Sequence, residues 1–351
     1  MHNIKENEIL QNKINIQYRM PKLFNRVLAN LVDIIIFALL FFGFYAGTRA
    51  IVKETKVYKE AREAYEQACI DSGLYRVNDK GVIIDLVTYI TNDSTFSGKG
   101  KRKASEQAIS DFYDVYLPTI VDDETYQTLL TKKDDYFLDA SRKPKEDDIQ
   151  DIPFFVMSNE GVIPNPELEN FPGIDTMYYA ECYKPFIDKV CLRQFQSYSP
   201  AYRHNFNTVA NLILFVVVPV SYVSSAILTW FVPPLFFRKG RKTLGKALYH
   251  IGLIQSDFYN CKFSKWLIRF VIFFFGEMIL SIATLGIPFI ISISMMVFSK
   301  HKQGFPDYML GLYEVDTSNN KIYNNEAEIT LDHANTYKEP IDFKMEDLPY
   351  W

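Results

Sequence analysis

The stretch VLANLVDIIIFALLFFGFYAG, residues Val27–Gly47, decides the class of this protein. It is about 21 residues long, or roughly 30 Å of helix, enough to cross the hydrocarbon layer of a bilayer. A long polar lead precedes it and an acid, Asp33, lies inside it, which argues against a cleaved signal peptide. Two further apolar runs follow. Val209–Phe237 reads VANLILFVVVPVSYVSSAILTWFVPPLFF. Pro219 offers a kink there and Pro233–Pro234 an end, while Ser221, Ser224 and Ser225 would let a neighbouring helix come close. The third run, Trp266–Phe298, is about 33 residues and nearly 50 Å as one helix, too long for a simple span. Gly286 and Pro288 sit where a break would help. The reading is a helix from Trp266 to Thr284 followed by a shorter returning helix from Ile287 to Phe298, with one kinked, tilted helix as the alternative.

Between the first two runs the chain is polar. KETKVYKEAREAYEQACID, from Lys53, is rich in helix formers and would continue the first membrane helix outward. Ser97–Lys103, dense in Gly, Lys and Ser, reads as a loop. Pro144, Pro153, Pro164, Pro166 and Pro172 suggest irregular structure, and Thr176–Phe206 reads as helix leading into the second span. The fold class is therefore mainly α, a polytopic helical membrane domain with a large inserted extracytoplasmic polar domain. The expected divisions are a cytoplasmic segment 1–22, a first span 23–52, an insert 53–206 and a second span 207–237. A basic cytoplasmic loop 238–265, a third span with its returning helix 266–299, and a cytoplasmic tail 300–351 complete the chain.

Orientation follows from the basic residues beside the spans. Lys13, Arg19, Lys22 and Arg26 precede the first, and Arg238, Lys239, Arg241, Lys242 and Lys246 follow the second. Both flanks belong in the cytoplasm. Residues 53–205 carry 19 Lys and Arg against 27 Asp and Glu and belong outside. Arg49, Lys53, Lys56 and Lys59 stand against this assignment, because they follow the first span closely.

Composition narrows the function classes. Net charge is −4, which gives no sign of nucleic-acid binding. Cys69, Cys182, Cys191 and Cys261 form no CxxC pair and have no nearby histidine for a metal site. They read as free thiols, the alternative being a disulfide from Cys182 to Cys191, or from Cys69 to one of them, in an exported insert. No GxSxG, HExxH or phosphate-loop pattern occurs, and His204, His250 and His301 stand alone. The expectation is a cell-membrane, multi-pass protein that is not an enzyme and holds no cofactor or metal. Its partners would be the lipid bilayer and a further copy or another membrane protein. Arg238, Lys239, Arg241 and Lys242 are expected to touch lipid head groups.

Charged residues inside the spans ask for a reason. Arg26 and Asp33 are close to two helical turns apart and share a face, about 10 Å apart along the axis. Arg269 and Glu277 repeat the arrangement in the third run. Arg26, Asp33, Arg269 and Glu277 should converge on one intramembrane polar site, each acid facing both arginines, with Asp307 near its mouth. A network that only fixes helix packing is the competing account. In that case Asp33→Asn lowers stability, and in the functional case it removes activity.

Arg26, Ala29 and Asp33 form an R-x-x-A-x-x-x-D pattern that resembles the opening helix of the RDD family of membrane proteins. KTLGKALYHIGLI, Lys242–Ile254, resembles that family's T-x-G-K-x-x-x-G-L segment through Thr243, Gly245, Lys246, Gly252 and Leu253. Arg269 matches an arginine opening the next helix. Leu285–Leu312 resembles the closing segment, with Gln303 and Asp307 on the motif. The resemblance covers 22–52 and 208–316, and its motif residues take in Arg26, Asp33, Arg269 and Asp307 but not Glu277. It departs where Pro306 replaces the usual histidine, and the insert and the tail after Tyr313 have no counterpart. It implies movement of a cation, proton or small solute through a polar intramembrane site. The alternative is a membrane-embedded regulatory or scaffold protein that binds a partner through its insert.

Overall fold

The computed structural model describes residues 18–139, 141–144, 146, 149–159, 161–298, 302–319 and 321–336. Lys13, Lys300 and His301 lie outside them. The described chain is mainly helical, 68% helix against 8% strand. It divides into two compact units, Met1–Thr48 with Val218–Trp351, and Arg49–Val217.

Helix α1, Leu23–Lys53, is long and apolar enough to cross a membrane. Phe24, Leu31, Leu39 and Phe42 are exposed along it, as suits a surface that meets lipid rather than water. It does not run on into the next helix. Thr55 adopts an extended conformation and its hydroxyl caps the Tyr58 amide, so α2, Lys56–Asp71, starts afresh.

The unit Arg49–Val217 has its own core. After α2 come the strands β1, Tyr75–Val77, and β2, Ile83–Asp85, paired antiparallel. Helices α3, Leu86–Asn92, α4, Gly98–Ser110, and α5, Asp123–Phe137, follow. Strands β3, Phe155–Ser158, and β4, Gly161–Pro164, make a second antiparallel pair amid the proline-rich stretch. Helix α6 covers residues 174–198. The expected loop at Ser97–Lys103 is instead the start of α4. Ser97 caps the Gly100 amide, Arg102 holds Glu106 and Asp175, and Ser105, Ala108 and Ile109 are buried. Lys99 and Lys103 are exposed, while Gly98 packs closely on Thr176, where a Cβ would lie 2.3 Å from its hydroxyl oxygen. Aromatic side chains fill the core, with Phe137 and Phe155 packed against Tyr183 and Phe186. Tyr178 donates to the Phe154 carbonyl at 2.6 Å and Tyr113 to Gln194 at 2.7 Å, so the buried hydroxyls are satisfied. All four cysteines are free and buried, which corrects the disulfide alternative. Burial pushes the Cys182 thiol up to about 12 and the Cys69 thiol to about 11, which keeps both protonated and inert.

Ser199 is extended and ends α6. It caps α7, Pro200–Phe236, the second candidate span. Helix α7 passes Pro219 and carries Pro233 and Pro234 within its last turns, ending only after them. Ser221 and Ser225 are fully buried, and Ser225 returns its hydroxyl to the Ser221 carbonyl. A short helix α8, Leu244–Leu248, and strand β5, Ile251–Gln255, lead to the third candidate span α9, Phe263–Ala283. The break expected in the last apolar run falls at 284–286, where Leu285 and Gly286 take φ of 53° and 91°. Helix α10, Ile287–Phe298, then returns antiparallel beside α9, with the Phe289 amide on Ser281 Oγ. Helix α11, Phe305–Leu310, leads into β6, Leu312–Asp316, which pairs antiparallel with β5 and sets Leu253 opposite Glu314. Helix α12, Glu326–Thr336, follows. Within this unit Phe37 of α1 packs on Tyr222 and Trp230 of α7, and Trp230 on Phe273 of α9. These rings tie the three long helices together.

A buried charged cavity between the helices

The cavity is built from small residues first. A Cβ on Gly245 would lie 2.0 Å from the Ala29 carbonyl oxygen, so the α8 backbone can rest on α1 only because Gly245 has none. Ala29, fully buried, is the small residue beneath it. This approach brings Asp33 to the start of α8. Its carboxylate accepts the Thr243 hydroxyl at 2.5 Å and the Gly245 amide at 2.7 Å, while Thr243 Oγ1 caps the Lys246 amide at 3.3 Å. The spacings R-x-x-A-x-x-x-D and T-x-G-K are the two halves of one contact. Lys246, on the same short helix, is turned inward rather than toward lipid and meets Glu314 at 2.6 Å.

Glu314 takes a second cation, Arg26, at 2.5 Å. Burial alone would raise the Glu314 carboxyl. The Lys246 ammonium and the Arg26 guanidinium, with Arg269 further off, hold it well below the usual carboxylate range. Arg269 forks onto Asp307, Nε to Oδ1 at 2.5 Å and Nη2 to Oδ2 at 3.1 Å. Glu277 is 4% exposed and projects from a stretch of α9, Ile272–Ile279, wound in wider π-type turns. Ser292 of α10 lies beside its carboxyl, yet Oε1 is buried with no hydrogen-bond partner among the described residues.

Arg26, Asp33, Arg269, Glu277 and Asp307 all line one cavity of about 310 Å³, which Thr243, Lys246 and Glu314 also line. The pairing differs from the expected one. Neither arginine serves the acid on its own helix, because Glu314 and Asp307 come closer to the guanidinium ends and Asp33 is spent on the α8 backbone. Asp307 is a direct partner of Arg269 rather than a group at the mouth. Lys246 and Glu314 were not anticipated. Lys246 could have been found from the motif that contains it. Glu314 lies in the acidic stretch after Tyr313 and is brought in by strand pairing alone, which leaves no mark in local sequence.

The basic run expected at lipid head groups is largely engaged by protein. Lys239 binds Glu328, Lys242 donates to Thr317 at 2.6 Å, and Arg241 donates to the Pro234 carbonyl at 3.2 Å. Arg238 is exposed.

No curated protein and no solved structure matches the chain. The family comparison takes in Thr243, Gly245, Lys246, Arg269, Glu277 and Asp307 and leaves Arg26, Asp33 and Glu314 outside its range. The resemblance carried by the motifs is matched by the model of the RDD family, which aligns with residues 189–311 of this chain.

Proposed function

We propose that this RDD-type membrane protein exchanges a proton and a monovalent cation at the intramembrane cavity, with Glu277 as the group that changes partner. One observation carries the reading. Among the acids of the cavity, Glu314 and Asp307 are closed by Lys246, Arg26 and Arg269, and Asp33 is closed by α8. Glu277 alone keeps a buried carboxyl oxygen without a partner among the described residues. A carboxyl in an apolar span is costly as a bare charge, so it holds a proton or a cation. In the proposed orientation, 1–22 and 238–265 face the cytoplasm and 53–206 lies outside, following the basic residues at the span ends.

The test is flux. Full-length protein in liposomes with an internal pH dye should show proton movement on addition of Na⁺ or K⁺. Glu277→Gln, close in shape, should remove at least nine tenths of it while leaving the elution profile of the protein unchanged. Absence of flux, together with stable capture of a membrane protein by the full chain, would move the reading to partner regulation.

A further inference from the structure

We propose that a second pocket, at the start of α9, binds a phosphate-bearing group, either a lipid headgroup or a soluble phosphate compound. The pocket has a volume of about 370 Å³ and shares only Arg241 with the intramembrane cavity. Its walls are the basic loop after α7, the turn leading into α9, and the residues that open α12.

Arg241 is the residue that asks for a ligand. Its Nε is buried with no hydrogen-bond partner among the described residues. The guanidinium is held by the Pro234 carbonyl, which accepts from Nη1 at 3.2 Å, and stands 5.5 Å from the Phe263 ring and 5.7 Å from the Trp266 ring, contacts that leave Nε unused. Its backbone is strained, at φ 42°, and Phe258 on the turn leading into α9 has φ 64°. Such strain persists where the surroundings impose it, often at binding sites. Lys262, which also lines the pocket, stands at the cap position of α9, and no side chain caps that helix. The open first-turn amides of α9 and the Lys262 ammonium therefore add to the field of Arg241. Asn260 fixes the walls rather than the ligand, since its amide binds Asn324, the Arg238 carbonyl and the Gly240 amide.

Two acids, Asp257 and Glu326, lie on the same rim, and Asp257 accepts the Tyr259 amide. Two cations beside two acids suit a single phosphate rather than a densely charged polyanion. Phe258 and Phe263 are 57% and 47% exposed, as rings at headgroup level would be. Lys239 and Lys242 are taken by Glu328 and Thr317, while Arg241 is bound to the Pro234 carbonyl through Nη1 and keeps its Nε without a partner among the described residues.

The experiment uses the purified full chain in detergent and reads the thermal midpoint against three probes. These are dioctanoyl phosphatidylglycerol, dioctanoylglycerol without phosphate, and inorganic phosphate. A saturable rise with the phospholipid, none with dioctanoylglycerol, and an affinity about tenfold weaker in Arg241→Gln and Lys262→Gln would support the site. The same dependence on inorganic phosphate would also support it and assign a soluble source. Lys262 is exposed, so its variant keeps the test alive if Arg241→Gln does not fold. No saturable rise with either phosphate probe, an equal rise with dioctanoylglycerol, or shifts unchanged in both variants would overturn the site. None of these outcomes depends on the ion-exchange reading.

Discussion

Gly245 and Glu314 show how single residues set this cavity. With a Cβ placed 2.0 Å from a backbone oxygen, Gly245→Ala must push α8 off α1 and pull Thr243 and Lys246 with it. The expected cost is roughly 1–3 kcal/mol, as for other overpacked contacts, read as a lower thermal midpoint in detergent. Glu314 is bound by two cations, and its removal leaves both buried and unpaired. Glu314→Gln should cost roughly 3–5 kcal/mol. The pH dependence has a definite sign. The folded carboxyl titrates below its unfolded value, so its contribution is complete above that value, about 4.3, and is lost as pH falls further toward the folded one. Thermal midpoints measured from pH 7 down to pH 3 should drop for the parent below about pH 4. Glu314→Gln should start lower and drop less. A parallel drop in both would remove Glu314 from the account. At this scale the sequence was informative about residues whose type is out of place. An acid among Ile and Phe, as at Asp33 and Glu277, is conspicuous in one dimension. Glu314 sits in an acidic surface-like stretch and is not.

Among the elements, the apolar runs were the most legible, because a span must be long and uninterrupted whatever surrounds it. The break between α9 and α10 was legible for the same reason, since the run exceeds what one span needs. The helix breaks at Glu54–Thr55 and at Ser199 were not, because each depends on one hydroxyl reaching a backbone amide rather than on periodicity. The start of α4 was missed because Gly and Lys composition reads as loop, while Arg102 and Ser97 anchor it through partners distant or local. The α9–α10 turn makes its own prediction. Gly286 has open space around it and φ 91°, so Gly286→Ala meets no clash and pays only for backbone strain, roughly 1–2 kcal/mol. Thermal unfolding should show that modest loss. A neutral effect would mean that the turn relaxes freely and does not fix the position of α10 beside Glu277.

For the whole molecule, the membrane unit was readable as a set of helices and a family-like order of motifs. Its closure was not, since the β5–β6 pair that delivers Glu314 joins residues some sixty positions apart in a unit whose sequence reads as helices and loops. In Arg49–Val217 the helices α2 and α6 were legible as helix-forming stretches, but the core between them was not, because it is assembled from short helices and hairpins whose aromatic residues are spread along the chain. The proposed orientation predicts that protease added to intact cells cleaves within 53–206 and spares Arg238–Lys242. Protection of the insert with cleavage at Arg238–Lys242 would reverse the topology. It would not alter the cavity, whose charges are all within one unit. The central claim is that Glu277 is where proton and cation compete, and infrared difference spectroscopy of the purified protein tests it most directly. Adding Na⁺ or K⁺ at constant pH should remove a protonated-carboxyl band that is absent from Glu277→Gln. A spectrum with no cation-dependent carboxyl band, or one in which the band persists in Glu277→Gln, would contradict the account.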